Sequence, residues 1–337
     1  CTSALHLSLL AAGIGSGDKV LVPSFTYVAT ANAVEHAGAE PVFVDIEPET
    51  FNISSEDLGN LLDQCESSGG QMPSAVMAVH LFGLCADMEP VEKLAKKNGI
   101  LIIEDAACAL GSEIQGKSAG TFGFAGCFSF HPRKVITTGE GGMVVTGDEQ
   151  TAAAVRMLRD HGAEISDHAR HESGLGELPE FNRPGFNYRM TDLQGALGTT
   201  QMLKLPGILR ERARRAVEYD RLLGDVSWFR TPFCPEGFTH TYQSYVCRIE
   251  IPDRTPEQLG KVRGRLMKHL DAAGIAARPG THAVHLLGYY KKKYGLRPEH
   301  CPNAMKAHFN TITFPLYPEM TEEEQTHVVK SISTFNP

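Results

Sequence analysis

Lys134 is the residue whose type and surroundings point most directly to covalent chemistry. It follows an apolar, strand-like run over residues 127–130 and precedes a glycine-rich turn over residues 137–142. Glycines let a backbone approach a ligand closely, and a lysine enclosed beside a ligand changes its pKa readily. Such an amine is suited to forming a Schiff base with a carbonyl compound. The alternative is a solvated surface lysine, which is the usual state of this residue type.

Asp105 is the second candidate, because it closes an apolar run over residues 99–105. A carboxylate at the end of a buried parallel strand faces the crevice in which α/β proteins bind their ligands. Pyridoxal 5′-phosphate (PLP) needs such a carboxylate to keep its pyridine nitrogen protonated. Together with Lys134, Asp105 therefore predicts a PLP site. Taken alone, Asp105 is more typical of the cap of a helix that begins at residues 106–109.

Two further features fit a cofactor that carries a phosphate and a flat ring. Thr2 and Ser3 begin a helix-like stretch, where free backbone N–H groups and hydroxyls are suited to bind a phosphate. Tyr27 follows the next strand-like run and is placed to stack on a pyridine ring. Each feature also has a structural interpretation, since Ser and Thr are ordinary N-caps and a lone aromatic side chain usually belongs to a core.

These residues need a scaffold, and the hydrophobic pattern predicts one. In the first part of the chain, strand patterns alternate with helix patterns, which indicates an α/β fold with a mostly parallel sheet covered on both faces. The predicted strands are residues 19–22, 40–45, 75–79 and 99–105, and the predicted helices are residues 4–10, 30–37 and 89–98. A polar stretch at residues 163–180 is predicted to be a surface loop.

A different pattern follows Pro206. Here the sequence predicts helices over residues 208–223 and 256–273, and strands over residues 245–251 and 311–314. We therefore expect two domains, a large one over residues 1–205 and a smaller α+β domain over residues 206–337.

Composition argues against several classes of protein. The chain has 337 residues and a formal charge of -8, from 40 acidic residues and 32 Lys or Arg, so nucleic acid is not an expected partner. No apolar run approaches the length of a membrane-spanning helix. The 8 cysteines show no Cys-x-x-Cys spacing, which predicts no metal site and favours reduced thiols in a cytoplasm. Because a helix pattern begins within the first few residues, we expect that an N-terminal segment is missing.

Several motifs occur in a fixed order along the chain. They are Thr-Ser-Ala-Leu (2–5), Val-Pro-Ser-Phe-Thr-Tyr-Val-Ala-Thr-Ala-Asn-Ala (22–33), Pro-Val-Phe-Val-Asp (41–45), Glu-Asp-Ala-Ala (104–107), Phe-Ser-Phe-His-Pro-Arg-Lys (128–134), Gly-Glu-Gly-Gly (139–142) and Asn-Tyr-Arg-Met-Thr-Asp-Leu-Gln (187–194). In this series the chain resembles the DegT/DnrJ/StrS-type sugar aminotransferases over nearly its whole length. The resemblance implies the aspartate-aminotransferase-like fold of PLP enzymes, known as fold type I.

The resemblance also implies roles for single residues. Lys134 would form the Schiff base with PLP, Asp105 would pair with the pyridine nitrogen, Tyr27 would stack on the ring, and Thr2, Ser3 and Ser129 would hold the phosphate. Asn187 matches an asparagine that completes the phosphate site of the neighbouring subunit. This last role implies a homodimer with two shared active sites.

Other positions depart from the family pattern or extend it. Cys108 stands where the family often has Gln or His near the phenolic oxygen of the cofactor, so a hydrogen bond to that oxygen is not implied. Arg278, His282 and His285 lie where the small domain of the family approaches the sugar nucleotide, and they are candidates to contact a diphosphate or hydroxyls. For His282 and His285 a structural role is an equal alternative.

The implied activity moves an amino group from an amino acid, L-glutamate by resemblance, to a nucleotide-linked keto-deoxy-sugar, as in amino-sugar and polysaccharide biosynthesis. One rival is a PLP-dependent sugar dehydratase, in which a histidine typically replaces the lysine. Another is a non-catalytic regulatory protein that binds PLP or a sugar nucleotide. A nicotinamide-dependent oxidoreductase is rejected, because the glycines at residues 13–17 precede a strand rather than follow one.

Overall fold

The computed structural model describes residues 1–164 and 180–337. The surface loop predicted at residues 163–180 lies almost entirely outside the described residues. In the first half of the chain the helices are α1 (Thr2–Ala11), α2 (Ala29–His36), α3 (Ser55–Ser67), α4 (Met88–Asn98) and α5 (Glu149–Leu158). The strands are β1 (Lys19–Pro23), β2 (Phe25–Thr26), β3 (Glu40–Val44), β4 (Ala75–Val79), β5 (Leu101–Asp105), β6 (Glu113–Ile114), β7 (Lys117–Ser118), β8 (Ala125–Ser129) and β9 (Gly142–Val145).

The central sheet has the strand order β3-β1-β4-β5-β8-β9. All neighbouring pairs are parallel except β8 with β9, which is antiparallel. Successive residues of β1 enter two different cores: Val20 and Val22 pack with α1 and α2, whereas Leu21 packs with α3 and α4. Helices therefore cover both faces of the sheet, as the apolar strand patterns predict.

The second half of the chain forms a smaller sheet with its own core. Its helices are α6 (Asp192–Leu223), α7 (Pro256–Ala272), α8 (Gly288–Tyr294), α9 (Pro302–Asn310) and α10 (Glu322–Ser333). Its strands are β10 (Phe229–Arg230), β11 (Phe238–Thr239), β12 (Tyr245–Ile249), β13 (Arg278–Pro279), β14 (His282–Ala283) and β15 (Thr311–Phe314). The order β10-β12-β15-β13 is antiparallel throughout. The predicted fold class, an α/β domain with a smaller α+β part, is confirmed.

Helix α6 corrects one prediction from the sequence. The helix expected to start at residue 208 instead begins at Asp192 and continues through Pro206. Its start is fixed by Thr191, whose hydroxyl accepts from the N–H of Gln194 while the Gln194 side chain accepts from the N–H of Thr191. The domain division at residue 205 therefore falls inside a continuous helix, and the division itself stays a prediction.

Two short strand pairs join the halves of the chain. β14 pairs with β2, so His282 lies opposite Thr26, and β11 pairs with β6. The first pairing places the segment that follows β13 beside the carboxyl end of the first strand unit. A large cavity lies at this position.

Candidate active site

A cavity of about 630 Å³ lies at the carboxyl ends of β4, β5 and β8, and residues from both halves of the chain line it. The predicted site residues that line it are Thr2, Tyr27, Asp105, Cys108, Ser129, Lys134, Arg278 and His282. Thr2 and His282 are 280 positions apart in the sequence, and the fold brings them to one cavity. Ser3, Asn187 and His285 are not among the residues that line the cavity.

Asp105 is the last residue of β5 and is 6% exposed. One carboxylate oxygen accepts from the Thr30 hydroxyl at 2.8 Å, and the other accepts from the N–H of Ala107 at 3.1 Å. No helix is formed over residues 106–112, all of which are described, so Asp105 does not act as an N-cap. Because a carboxylate accepts about four hydrogen bonds, Asp105 keeps the capacity to bind a ligand in the cavity.

Lys134 is half-buried and lies in the turn that follows β8. Its backbone N–H donates to the carbonyl of His131 at 2.9 Å, which fixes the turn. Its side-chain nitrogen donates to the sulfur of Cys108 at 3.0 Å. Cys108 lies in the turn after β5, three residues beyond Asp105. Asp105 and the neighbour of Lys134 are therefore positioned by the same strand end.

Two groups that could hold a phosphate reach the cavity. Thr2 lines it from the first turn of α1, a helix whose N-terminus has no side-chain cap. The unpaired N–H groups and the dipole of such a terminus attract anions. Ser129 lines the cavity from the end of β8. Ser3 belongs to the same turn of α1 as Thr2 but does not line the cavity.

Tyr27 follows β2 and has 59% of its surface exposed. It lines the cavity and is not part of the buried core. The core interpretation of this aromatic residue therefore does not hold. An exposed ring at the cavity wall is available to stack on a flat ligand.

Two candidates lie away from the cavity. Asn187 is exposed and forms an isolated backbone bridge with Asp160. His285 is fully buried, and its Nδ1 shares a hydrogen bond with the hydroxyl of Ser24. Burial lowers the pKa of His285 to about 4, so its ring is neutral at physiological pH. This position supports a structural role for His285. It does not fit the expected contact with a substrate, because His285 does not line the cavity.

Sequence reasoning missed several residues that line or support the cavity. Thr30 orients Asp105, and Ser244, Arg263 and His308 line the cavity from the second half of the chain. A signal for Thr30 existed, because it belongs to the motif at residues 22–33. In the structure its hydroxyl lies 2.9 Å from that of Thr26. The sequence carries no comparable signal for Arg263, a polar position on an amphipathic helix.

The residues of this cavity fit PLP. The volume lies within the range of small-molecule sites, which is roughly 300–1,000 Å³. The donor set matches the parts of the cofactor: an amine for its aldehyde, a carboxylate for its pyridine nitrogen, an exposed aromatic ring for its flat face, and an uncapped helix terminus for its phosphate. Within residues 1–164 and 180–337, no group of three His, Cys, Asp or Glu side chains is arranged to hold a metal ion.

The helices bear on membrane insertion. None of those in the described part of the chain is both long and apolar enough to cross a bilayer. All 8 cysteines are free thiols.

Comparison with known proteins agrees with this site. The family model of the DegT/DnrJ/EryC1/StrS aminotransferases matches residues 1–333. The chain is 36% identical over 332 residues to GDP-perosamine synthase of Caulobacter vibrioides, with 98% of this chain and 82% of that protein covered.

Two solved structures show the same fold. One is a DegT DnrJ EryC1 StrS aminotransferase from Brucella abortus, with a TM-score of 0.86, 30% identity, and 98% of this chain and 83% of that one covered. The other, from Streptococcus pneumoniae, is in its PLP form and has a TM-score of 0.87, 27% identity, and coverage of 99% and 84%. The chain therefore belongs to the DegT/DnrJ/EryC1/StrS aminotransferase family and is a PLP-dependent aminotransferase.

Proposed function

We propose that this protein transfers the amino group of an amino acid, L-glutamate, to a nucleotide-linked keto-deoxy-sugar, as a step of amino-sugar and polysaccharide biosynthesis. The observation that carries the proposal is that Lys134 and Asp105 line one cavity of about 630 Å³, large enough for a cofactor and part of a substrate. The family and a relative named GDP-perosamine synthase support the sugar acceptor.

Lys134 has two tasks in this reaction. Its amine would hold the cofactor, and the same amine, when free, would move the proton of the donor α-carbon. The Cys108 sulfur, 3.0 Å from that amine, holds the freed side chain inside the cavity. The cofactor, when bound, supplies an electron sink for the negative charge that develops at the α-carbon.

Asp105 keeps that electron sink effective. Its carboxylate holds the proton on the pyridine nitrogen, and the Thr30 hydroxyl and the Ala107 N–H fix its orientation. Because Asp105 is buried and hydrogen-bonded, it needs no reorganisation during the reaction.

The remaining contacts position the two substrates and the phosphate. Thr2 and Ser129 would hold the cofactor phosphate together with the N-terminus of α1, and Tyr27 would stack on the ring. Ser3 does not line the cavity, so its side chain is not assigned to the phosphate. Arg278 and His282, which face the cavity from β13 and β14, contact the nucleotide-linked sugar.

The active enzyme is a homodimer in which Asn187 completes the phosphate site of the other subunit. Asn187 is exposed and lies outside its own cavity, as such a role requires. The adjoining part of α6 exposes a series of large apolar side chains, among which Leu193 is 86% and Leu203 is 81% exposed. Exposed apolar surface of this kind marks an interaction site, and a second copy of the chain is its proposed occupant.

Two alternatives are less well supported. A sugar dehydratase of this family would typically carry a histidine where Lys134 stands. A non-catalytic regulatory protein would not need the lysine, carboxylate and uncapped helix terminus to line one cavity. We place the reaction in the cytoplasm, which fits the free state of the 8 cysteines.

An assay of amine transfer tests the proposal. The purified protein is supplied with PLP, L-glutamate and a panel of nucleotide-linked keto-sugars, and the products are identified by mass spectrometry. Formation of 2-oxoglutarate together with one amino-sugar nucleotide is the expected result. Loss of a sugar hydroxyl without gain of nitrogen supports the dehydratase instead, and no turnover with any member of the panel contradicts a sugar-transaminase function.

A further inference from the structure

Cys108 and Lys134 form a thiol–amine pair inside the cavity. Both side chains are half-buried, and both line the cavity of about 630 Å³. The side-chain nitrogen of Lys134 lies 3.0 Å from the Cys108 sulfur, which is its hydrogen-bond partner within residues 1–164 and 180–337. The proposed amine transfer uses the lysine for chemistry and the thiol only as a hydrogen-bond acceptor. The reactivity of the sulfur itself is left unused.

The backbone fixes this contact from both sides. Cys108 lies in a turn in which the N–H of Ala109 donates to the carbonyl of Ala106 at 2.9 Å. Lys134 lies in a turn in which its own N–H donates to the carbonyl of His131 at 2.9 Å. The two turns follow β5 and β8, which are parallel neighbours in the central sheet. The sheet therefore holds the sulfur within reach of the amine.

Four of the other cysteines lack the access that Cys108 has. Cys85, Cys127, Cys247 and Cys301 are buried. Burial raises the pKa of the Cys85, Cys127 and Cys301 thiols to about 12, and it also raises the pKa of Cys247. The thiolate is the form of cysteine that reacts with oxidants. These four side chains therefore stay inert thiols.

Cys108 has the surroundings of a reactive thiol. It is partly exposed, and the cavity beside it is lined by three cationic side chains, Arg133, Lys134 and Arg278. Reactive cysteines occur in partly exposed, electropositive surroundings of this kind. A small, uncharged oxidant that enters the cavity therefore meets a thiol suited to react with it.

Cys1 is a second thiol that lines the cavity. Its sulfur lies 3.9 Å from a carboxylate oxygen of Asp105 and 3.5 Å from the carbonyl oxygen of Cys127. The group in hydrogen-bond contact with the Cys108 sulfur is instead the amine of Lys134. In many redox-sensitive proteins a second cysteine reacts with the oxidised one, and here an amine occupies that position.

We propose that Cys108 and Lys134 are a redox-sensitive pair, which a hydroperoxide such as hydrogen peroxide converts into a sulfur–nitrogen link. In the first step the Cys108 sulfur attacks a peroxide oxygen and the O–O bond breaks. The sulfur is oxidised to a sulfenic acid, and the other peroxide oxygen leaves as water with the thiol proton. In the second step the Lys134 nitrogen attacks this sulfur and the S–O bond breaks. The hydroxyl leaves as water with a proton of the amine, and a sulfenamide remains.

The link removes the amine that the cofactor needs. A Lys134 nitrogen that is bonded to sulfur cannot condense with the aldehyde of PLP, and a Lys134 that holds the cofactor cannot attack the sulfur. The pair therefore responds to oxidant only while the amine is free. A dithiol reverses the link, since its own oxidation to a disulfide supplies the electrons that break the S–N bond. The effect on cofactor loading rests on the proposed function, whereas the link itself rests on the contact.

The test treats three forms of the wild-type protein with hydrogen peroxide. They are the PLP-loaded protein, the PLP-loaded protein after reaction with L-glutamate and desalting, and the protein stripped of PLP with hydroxylamine. The last two forms are expected to lose the mass of two hydrogen atoms and to yield, by tandem mass spectrometry, peptides joined through Cys108 and Lys134. The PLP-loaded form is expected to be protected. Dithiothreitol is expected to restore the mass and the ability of the stripped protein to bind PLP with a visible band.

Matched variants separate this pair from other thiols. Cys65→Ser removes a half-buried thiol of α3 outside the cavity, so its stripped form is expected to link like wild type. Cys108→Ser has no sulfur to oxidise at this position and is expected to form no link. Lys134→Ala is expected to accumulate the sulfenic acid at Cys108, which dimedone traps, whereas wild type is expected to give little of this adduct.

Several results overturn the pair. They are an unmodified Cys108 in the stripped wild-type protein, oxidation of Cys108 to a sulfinic acid without a link, and a disulfide between Cys108 and Cys1. A link in the stripped form, with none in the glutamate-treated form and its visible band retained, supports the pair and contradicts the proposed amino donor. Failure of amine transfer in the assay above contradicts the proposed function and leaves the link standing.

Discussion

The side-chain nitrogen of Lys134 lies 3.0 Å from the sulfur of Cys108 and donates a hydrogen bond to it. Cys108 follows β5, the strand that ends in Asp105, whereas Lys134 follows β8, its parallel neighbour. The sheet register therefore places the amine, the thiol and the carboxylate at one edge. Cys108 stands where the family often has Gln or His. In this chain, the Lys134 amine that we propose as the base therefore has a thiol as its neighbour.

Replacing this thiol is expected to slow proton transfer without loss of the cofactor. Cys108→Ala removes the hydrogen-bond acceptor of the freed lysine, so the rate of the half-reaction with L-glutamate is expected to fall by up to about tenfold, as one lost hydrogen bond allows. Cys108→Ser restores an acceptor and is expected to lose less. Stopped-flow absorbance measures these rates, and equal rates for Cys108→Ala and wild type would show that the contact has no role.

Asp105→Asn is expected to retain the fold and to lose catalysis. The amide has nearly the shape of the carboxylate, but it carries no negative charge to hold a proton on the pyridine nitrogen. The half-reaction rate is expected to fall by about a hundredfold or more. Asp87→Asn, an exposed position outside the cavity, is the matched control. A rate within a few-fold of wild type for Asp105→Asn contradicts the assigned role.

Shared active sites predict complementation between two inactive variants. Lys134→Ala removes the reactive amine, and Asn187→Glu places a negative charge against the phosphate site of the neighbouring subunit. In a mixed dimer, one site carries both changes and the other carries neither. When the two variants are mixed in equal amounts and their subunits exchange at random, half of the dimers are mixed, and each of these has one intact site of two. The mixture is therefore expected to show about a quarter of wild-type activity. A mixture no more active than its parents, with exchange verified by native mass spectrometry, contradicts the shared site.

Glu104, a buried carboxylate next to Asp105, predicts how the free energy of unfolding depends on pH. Burial alone raises the pKa of Glu104, but the hydrogen bond and charge of His80 and the N–H groups of Gly123 and Gly120 outweigh it, so the pKa lies below its usual value. The Glu104 oxygens lie 2.8 Å from His80 Nε2 and 2.7 Å from the N–H of Phe122. Glu104 therefore ties the turn before β8 to the end of β4.

The lowered pKa means that Glu104 stabilises the native state above the pKa it has when unfolded, about 4.3. This contribution is lost as the pH falls through the lower pKa of the folded state. Glu104→Gln is expected to lower the free energy of unfolding by about 3 kcal/mol at pH 7, with a smaller difference from wild type near pH 3. Urea unfolding across this pH range checks it, with Glu92→Gln, at a partly exposed surface position, as control. A difference that does not change with pH would contradict the linkage.

The sequence predicted the scaffold well where the pattern was continuous. The strands at residues 75–79 and 311–314 have the predicted bounds, because apolar runs buried on both faces leave few alternatives. α3 was not predicted, although Ser54 caps it and acidic residues fill its first turn. The start of α6 was misplaced because Pro206 was given the weight of a boundary, whereas the capping residues at Thr191 decide where the helix begins.

The site was predictable where residues follow strands of one sheet. Lys134 and Asp105 were expected together, since the carboxyl ends of parallel strands share an edge. Arg263 and His308 reach the cavity only through the packing of α7 and α9 on β15, which no local pattern encodes. His285 shows the opposite case, because its motif suggested a ligand contact and its position is in the core, bonded to Ser24.

The measurement that most directly tests the account is the absorbance of the PLP-loaded protein during titration with L-glutamate. Wild-type protein is expected to show a visible band from the cofactor bound to Lys134, which L-glutamate bleaches. Lys134→Ala is expected to lack this band, whereas Lys117→Ala, at a surface lysine paired with Glu92, is expected to keep it. A wild-type protein that stays colourless after reconstitution, or a band that survives in Lys134→Ala, contradicts the central claim that Lys134 carries the cofactor.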